Sequence, residues 1–539
     1  MSELSQLVDS YFDLKWQMDP VEATGAGVSA HDHRLGAFDE QSISEYLAAL
    51  KSIAGALEAC EVETLDDEID RTALLNDVRV TVHRFEVEKP HERDPVFWAT
   101  HALEGLYLLL AVRDRSREHR ARAAAERVRV LPRFLEVGAE MLSDCPPVFI
   151  DIGAEVARAG AKLVQQVVEE LDPGDDDEFP AACAEAEQAL GLFADLLLTA
   201  KYEGETEGEA ADFAIGEDAF NFRLQYEHAL RATAPELWRY GHQLIDEVEA
   251  ELTELAEEIE PGVAWPDLVE KLRKVHPPGH QLVAAYAAEM DRSRRFVDNQ
   301  GLIDIPDGVL EVVETPDFLR PIIPFAAYQP PGAFSEDRTG WFYITPPADD
   351  ADPEELERFL RDHCVHELAC TALHEGYPGH HLQFLSAHAQ PRIVRKVIGS
   401  PVTIEGWALY CEEMMGEAGF YSTLEERFFQ RLALLWRGVR IVADVGLHTR
   451  GMSIDEAVDL LVTRVHFDAD HASAEVRRYC AHPAYQVCYA VGRRELRSLR
   501  DAYKEAEGDD YSLSRFHKEV LKYGGLPVSF MRWGMGLSD

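Results

Sequence analysis

HEGYPGHH, at residues 374–381, is the stretch of this sequence from which its fold and its chemistry can be argued. A catalytic zinc site uses about three protein ligands, and a helix often supplies two of them as histidines four residues apart, with a glutamate directly after the first. His374 and Glu375 match that arrangement, but Pro378 occupies the position of the second histidine. We therefore expect the second ligand further along the chain.

Pro378 and Gly379 should widen or break a helix here, because proline lacks an amide donor and glycine tolerates unusual dihedral angles. In an unbroken helix His380 lies about 240° around the axis from His374, whereas His381 lies on the same face but ~10 Å further along. Neither histidine can join His374 at one metal ion without a distortion. We favour His380 as the second ligand and keep His381 as the alternative.

A second helix is predicted around Glu405, in the sequence IEGWALYCEE at residues 404–413. A carboxylate in so apolar a helix needs a partner, and a metal ion held by two histidines provides one. Glu405 is therefore the predicted third ligand, and Glu375 the predicted general base. Without a metal, Glu405 is an acid favoured by the helix dipole. We expect Glu412 and Glu413 to face solvent.

The charge of the chain limits its partners. Its 539 residues include 99 acidic and 52 basic ones, which give a formal net charge of −47. Self-repulsion of this size is screened by high salt, so we expect an acidic surface, a halophilic host and loss of folding in low salt. Binding of nucleic acid is not expected, because it requires a basic surface.

Most of the sequence has the apolar periodicity of helices, so a mostly α fold is predicted. A small β element is expected near residues 325–346, where prolines interrupt helices and residues 340–345 are aromatic and β-branched. We expect one domain over residues 1–539. An alternative is a division into two subdomains, a helical half, 1–300, and a metal-site half, 301–539.

The redox state and location follow from the cysteines and the N-terminus. The eight cysteines show no CxxC pair and are expected to be reduced, buried thiols. Residues 1–19 lack the apolar run of a signal peptide, and no window of the sequence has the composition of a membrane span. A cytoplasmic protein without membrane partners is predicted.

Several segments together carry a family resemblance. HEGYPGHHLQ and EGWALYCEEM are joined by three more, which are DPVEATGAGVSAHDHRLGAFDE, AYQPPGAFSEDRTGWFYITPP and PAYQVCYAVGRRELRSLR. The sequence resembles the prokaryotic family filed as domain of unknown function 885, over nearly its whole length. That family looks like a branch of the zincin peptidases, distantly similar to carboxypeptidase Taq, thimet oligopeptidase and dipeptidyl peptidase III. The resemblance implies a single family-wide domain with a zincin-like helical fold around a deep cleft.

The resemblance also implies the same ligands and base as the residues themselves, with a choice between His380 and His381. Tyr489 is our candidate donor to the developing oxyanion, with a buried core tyrosine as the alternative. Trp341 and Tyr343 belong to a predicted strand that is either an edge to which a peptide substrate adds or part of a core hairpin. Tyr328 is expected to line the same cleft.

Other polar residues have weaker assignments. Arg440, Asp444 and His448 share a helix face and either orient the ligands or form a solvated ion-pair surface. A stripe of His366, Cys370 and His374 is a less favoured metal site, because it uses a buried cysteine and places no general base. The arginines considered for a substrate carboxylate are Arg477, Arg493 and Arg494.

The function predicted from the sequence is that of a zinc-dependent peptidase of the carboxypeptidase or oligopeptidase type. Its cofactor is Zn²⁺, and its substrates are small peptides cleaved by a metal-activated water with Glu375 as general base. The alternatives are a zinc hydrolase of a non-peptide amide or ester, and a non-catalytic helical binding protein on a zincin scaffold. The sequence does not determine the oligomeric state or the direction of cleavage.

Overall fold

The computed structural model describes residues 2–171, 178–207, 212–316, 320, 323, 325–348 and 351–537. Helices make up 72% of the structure, and the three strands form one small sheet. The prediction of a mostly α fold with a small β element is confirmed. No helix in these ranges combines the length and apolarity that a bilayer span requires. All eight cysteines are free thiols, and all but Cys145 are buried.

The chain divides into two compact units. Residues 1–213 and 331–337 form the first, and residues 214–330 and 338–539 form the second. The predicted subdomain boundary at residue 300 lies within the second unit, because the helices from residue 214 onwards pack with the later ones. The predicted site residues all belong to the second unit.

The first unit is helical. Its helix α6 is apolar on nearly every face and packs between α7 and α8, and Trp98, Leu106 and Leu109 of α6 are fully buried. A helix that is apolar all round is stable only in such a position. The helices are α1 (Glu3–Met18), α2 (Pro20–Ala26), α3 (Glu40–Ala59), α4 (Leu65–His83), α5 (Pro90–Arg93), α6 (Pro95–Ala111), α7 (Arg117–Met141), α8 (Pro147–Leu171) and α9 (Phe179–Glu207).

In the second unit, the apolar face of α11 packs along α19. Helices α18 and α22 form the unit's other large contact. The helices are α10 (Gly216–Tyr226), α11 (Ala234–Ile259), α12 (Trp265–Leu272), α13 (Leu282–Gln300), α14 (Pro353–Arg361), α15 (Leu368–Glu375), α16 (His380–His388), α17 (Ile393–Val397), α18 (Pro401–Glu417), α19 (Leu424–Thr449), α20 (Ile454–Arg464), α21 (Ala469–Ala481), α22 (Cys488–Glu507), α23 (Leu513–Leu521) and α24 (Val528–Gly534).

The sheet of the second unit comprises β1 (Val309–Glu314), β2 (Ala326–Gln329) and β3 (Thr339–Ile344) in the order β1-β3-β2. β1 runs parallel to β3, and β2 runs antiparallel to it with Tyr328 opposite Phe342. Of the two alternatives for this aromatic strand, the edge is wrong, because β3 is hydrogen-bonded on both sides. A peptide cannot add to β3, and the edges of this sheet are β1 and β2.

Candidate metal centre

Three predicted ligands converge in the second unit. One ligand atom each from His374, His380 and Glu405 lies within 4.8 Å of the others. Oε2 of Glu405 is 3.3 Å from Nε2 of His380 and 3.7 Å from Nε2 of His374. All three residues are buried. Two imidazole nitrogens and a carboxylate oxygen that point at one another form a donor set that a divalent cation can hold together.

The two histidines come together because the helix is broken between them, as Pro378 and Gly379 predict. α15 ends at Glu375, and α16 begins at His380. In the break, the amide of Gly379 donates to the carbonyl of Leu373 over 3.0 Å. A Cβ atom at Gly379 would overlap the carbonyl oxygen of His374, so only glycine allows this close return of the chain.

The break is attached to the helix that carries the carboxylate. Nε1 of Trp407 in α18 donates to the carbonyl of Pro378 over 2.9 Å. Glu405 lies in the same helix, two residues before Trp407. This contact helps to hold α18, and with it the carboxylate, beside both histidines.

Glu412 is hydrogen-bonded to His374 at Nδ1, the ring nitrogen that does not face Glu405. Its Oε1 atom is 2.7 Å from Nδ1 of His374, and Glu412 is 1% exposed. The prediction that Glu412 faces solvent is wrong. Because Glu412 lies seven residues after Glu405, two helical turns place both on one face of α18, and that spacing could have revealed it. Burial lowers the pKa of His374, but hydrogen bonds to Glu405 and Glu412 outweigh it and raise the pKa to about 9.

Glu413, predicted to face solvent as well, is also buried. It forms an ion pair with Arg493 in α22, and Arg497 lies 3.1 Å from its other oxygen. α18 and α22 approach closely where Gly406 faces Gly492, since a Cβ atom on either would overlap the backbone of the opposite helix. The acids of α18 are therefore held from two sides, by α15 and by α22.

The carboxylate ligand has a partner that the sequence did not reveal. The hydroxyl of Tyr485 donates to Oε1 of Glu405 and leaves Oε2 facing the histidines. Burial raises the pKa of Glu405, but its hydrogen bonds with His374 and His380 lower it well below its usual value. Tyr485 lies 80 residues along the chain from Glu405, so no local pattern connects the two.

The turn that presents Tyr485 is fixed by a buried acid. Asp444 of α19 accepts amide hydrogen bonds from Ala484, Gln486 and Val487 at 3.1, 2.9 and 3.2 Å. Asp444 has no exposed surface. The interpretation of its helix face as a solvated surface is therefore wrong, and Asp444 acts as a positioning residue for Tyr485.

Arg440 and His448, the other members of that face, are buried as well. Nε2 of His448 is 3.1 Å from the carbonyl of Tyr479, and Arg440 donates to Glu475 over 2.9 Å. Both contacts tie α19 to α21, the helix that precedes the Tyr485 turn.

Glu375 and Tyr489 lie beside the ligand group. Glu375 is half-buried, has no hydrogen bond or ion pair within the described residues, and raises the pKa of neighbouring His374 through its charge. The ring centroid of Tyr489 is 6.0 Å from that of Tyr485. Burial and the Glu405 charge raise the pKa of Tyr489, so its phenol keeps its proton at neutral pH. Both side chains are thus near the group without being among its ligands.

His381 points away from the group. Its Nδ1 atom is 2.9 Å from the hydroxyl of Tyr328 in β2, and burial lowers its pKa to about 3, so the ring is neutral. The structure therefore brings His380 to His374 and directs His381 to the sheet. Tyr343 is only 3% exposed and Trp341 is half-buried, so a substrate could reach little of Tyr343.

The three candidate ligands offer the nitrogen and oxygen atoms that zinc binds in proteins. Zinc sites built from two histidines and a glutamate are common, and a carboxylate bonded to the distal nitrogen of a ligand histidine is their usual support. A second acidic group, Asp362, Asp468 and His471, is also compact, but its Asp468 is exposed and caps α21. Within the described residues, His374, His380 and Glu405 are the buried candidates.

The sequence profile of the family described as Bacterial protein of unknown function (DUF885) matches residues 20–535. Two solved structures share the fold. A protein from Shewanella oneidensis described as "a putative lipoprotein of unknown function" has 21% identity, a TM-score of 0.83 and 99% coverage of both chains. A protein from Colwellia psychrerythraea described as "the putative lipoprotein" has 16% identity, a TM-score of 0.81 and 98% coverage of both chains. No curated protein matches the chain.

Proposed function

The chain belongs to the DUF885 family of bacterial proteins, and we propose that within it this chain is a zinc-dependent peptidase. One observation carries the proposal. His374 and His380 direct their Nε2 atoms to Oε2 of Glu405, while Glu412 occupies the far nitrogen of His374. With Nδ1 of His374 engaged, Nε2 is the nitrogen left for a metal ion.

In peptide hydrolysis at such a site, the metal ion and the side chains have separate roles. A bound zinc ion would polarise the substrate carbonyl and lower the pKa of a water molecule. Glu375 accepts the proton of the attacking water and delivers it to the leaving amine. It can do so because no other side chain occupies its carboxylate in the described part of the chain. The hydroxyl of Tyr489 donates to the oxyanion that forms.

The zincin-like cleft and the peptide substrate belong to the same proposal, since the resemblance of the HEGYPGHH segment implies them. A hydrolase of a non-peptide amide or ester is the alternative within enzymes, and a binding protein on the same scaffold is the alternative outside them. The cytoplasmic location remains a prediction. The lipoprotein descriptions of the two structural relatives offer a membrane-anchored location as its alternative.

Hydrolysis of a library of short peptides in high salt tests the proposal. We expect cleavage that requires zinc and that falls by about 100-fold or more in Glu375→Gln, because a general base contributes that much. Glu417→Gln is the matched control, since Glu417 pairs with Arg500 at the exposed end of α18. Cleavage that survives in Glu375→Gln would refute the assigned base. Hydrolysis of esters alone would favour the first alternative, and zinc binding without any hydrolysis the second.

A further inference from the structure

We propose that Arg437 binds a substrate carboxylate beside the metal centre, so that the substrates are peptides with a free carboxylate near the scissile bond. Arg437 lies in α19 and is half-buried. Its guanidinium donates only to the carbonyl of Ala433, over 3.3 Å, and its Nε atom is buried without a partner. No carboxylate pairs with it among the described residues.

Within the described ranges Arg120, Arg127 and Arg273 also lack an ion pair and donate to backbone carbonyls, but Arg437 is distinguished by its place beside Tyr489. Acidic residues outnumber basic ones by 99 to 52, so partners for cations are abundant. One carboxylate of the neighbouring helix α21 is already shared, because Glu475 accepts hydrogen bonds from Arg440 and Arg478 at 2.9 Å each. Tyr479 also donates to Glu475, over 2.8 Å. Burial raises the pKa of Glu367 and the charges of Arg273 and Arg437 lower it, but Arg437 forms no ion pair with Glu367 in the structure described.

Arg437 lies next to a candidate catalytic group, Tyr489. The guanidinium carbon of Arg437 is 5.7 Å from the ring centroid of Tyr489 and 4.4 Å from that of Trp436. Tyr489 is in turn 6.0 Å from Tyr485, which holds Glu405. The Arg437 charge also acts on Cys370, one helical turn before His374, where it opposes the rise in thiol pKa caused by burial and Glu412.

The three arginines that the sequence suggests for binding a substrate carboxylate have other partners. Arg493 is buried against Glu413, Arg494 is paired with Glu495, and Arg477 also has a partner. Arg437 differs because its aromatic neighbours hold the guanidinium by cation–π contact without neutralising it. A planar fork fixed in this way is preorganised to bind a carboxylate through two parallel hydrogen bonds.

This inference rests on the proposed function and names the substrate class for the same site. The carboxylate comes from one of two sources, which are the C-terminus of the peptide and an aspartate or glutamate side chain. The first source makes the protein a carboxypeptidase. The second makes it selective for acidic peptides.

Binding to the zinc-loaded Glu375→Gln protein, which retains the site without turnover, distinguishes the sources. Titration calorimetry in high salt compares a peptide with a free C-terminus, its C-terminal amide, and the amide with glutamate as its last residue. We expect the amide to bind about 10- to 100-fold more weakly than the acid. Recovery of affinity by the glutamate amide would assign the carboxylate to a side chain, and failure to recover would assign it to the C-terminus.

The same titrations in Arg437→Gln and Arg437→Lys assign the residue. Arg437→Gln should bind acid and amide equally, and Arg437→Lys should keep part of the difference as a point charge. The control is Arg431→Gln, because Arg431 lies on the same helix and pairs with Glu251. This variant should keep the whole difference in affinity between acid and amide. Equal affinity for acid and amide in the starting protein, or a preference that survives in Arg437→Gln, would overturn the inference. Peptide hydrolysis by the wild type would then still support the proposed function, whereas failure of that function would appear as no hydrolysis.

Discussion

Oε1 of Glu412 lies 2.7 Å from Nδ1 of His374, and this contact determines which ring nitrogen of His374 can bind a metal ion. A carboxylate at Nδ1 keeps the proton on that nitrogen, so Nε2 is the nitrogen that would bind a metal ion when the metal displaces its proton. Nε2 is the atom that faces Glu405. The tautomer of the first ligand is thus set by a residue that does not touch the metal position.

Replacement of Glu412 by alanine should weaken zinc binding by about 10- to 100-fold, because an unsupported ligand histidine loses orientation and basicity. Competition with a chromophoric chelator measures the affinity. Glu417→Ala, at the exposed end of the same helix, is the control and should bind zinc as the wild type does. Wild-type affinity in Glu412→Ala would separate Glu412 from the metal site.

Replacement of His380 and replacement of His381 should have different effects on zinc content. His380→Ala should lose zinc, since its Nε2 atom is 3.3 Å from Glu405, whereas His381→Ala should retain it, since His381 contacts Tyr328 instead. Metal analysis of both folded variants measures this. Retention of zinc by His380→Ala with loss in His381→Ala would reverse the assignment of the second ligand.

Two tyrosines, Tyr485 before α22 and Tyr489 in its first turn, should affect different steps. Tyr485→Phe removes the hydrogen bond to Glu405 and should weaken zinc binding by about tenfold. Tyr489→Phe should leave zinc content unchanged and lower kcat by about 100-fold, as loss of an oxyanion donor does. Zinc titration and steady-state kinetics of both variants separate the roles. A kcat of Tyr489→Phe equal to that of the wild type would remove Tyr489 from the mechanism.

Glu475 should stabilise the second unit in a pH-dependent way. Burial raises its pKa, but Arg440 and Arg478 outweigh burial and lower the pKa far below its usual value. Its contribution is therefore complete above about pH 4.3, the usual pKa of glutamate, and declines as the pH falls towards the lowered pKa. Glu475→Gln should lose about 3 kcal/mol in the free energy of unfolding at pH 7, because Arg440 stays buried without its partner.

Urea unfolding in high salt at a series of pH values measures the difference between Glu475→Gln and the wild type. The difference should shrink as the pH falls below about 4.3. The control Asp291→Asn removes the exposed ion pair with Arg295 in α13 and should change stability little at any pH. A difference for Glu475→Gln that is constant with pH would mean that its charge is not what stabilises the fold.

Much of the candidate site could be predicted from residues close together in the sequence. His374 and Glu375 share one motif, and Glu405 is an acid in an apolar helix, so local rules find all three. The choice between His380 and His381 depends on the path of the four residues between α15 and α16. That path is set by the contact of Pro378 with α18, which no spacing rule contains.

Other features could not be predicted because their partners are distant in sequence. Tyr485 reaches Glu405 across 80 residues, and Asp444 fixes the turn that makes this possible. The aromatic residues of β3 predict a strand, but its central position depends on β1 and on β2, two short strands with weak patterns of their own. Strand order is a tertiary property, so a single strand signal does not show whether the strand is an edge.

The metal content of the protein tests the central claim most directly. Wild-type protein purified and dialysed in high salt, with zinc supplied and excess removed, should contain one zinc ion per chain by mass spectrometry of the metal. His374→Ala, folded by circular dichroism, should contain none, because the ligand set loses the nitrogen that Glu412 orients. Wild-type protein without stoichiometric metal, or His374→Ala with as much zinc as the wild type, would contradict a metal centre at this site.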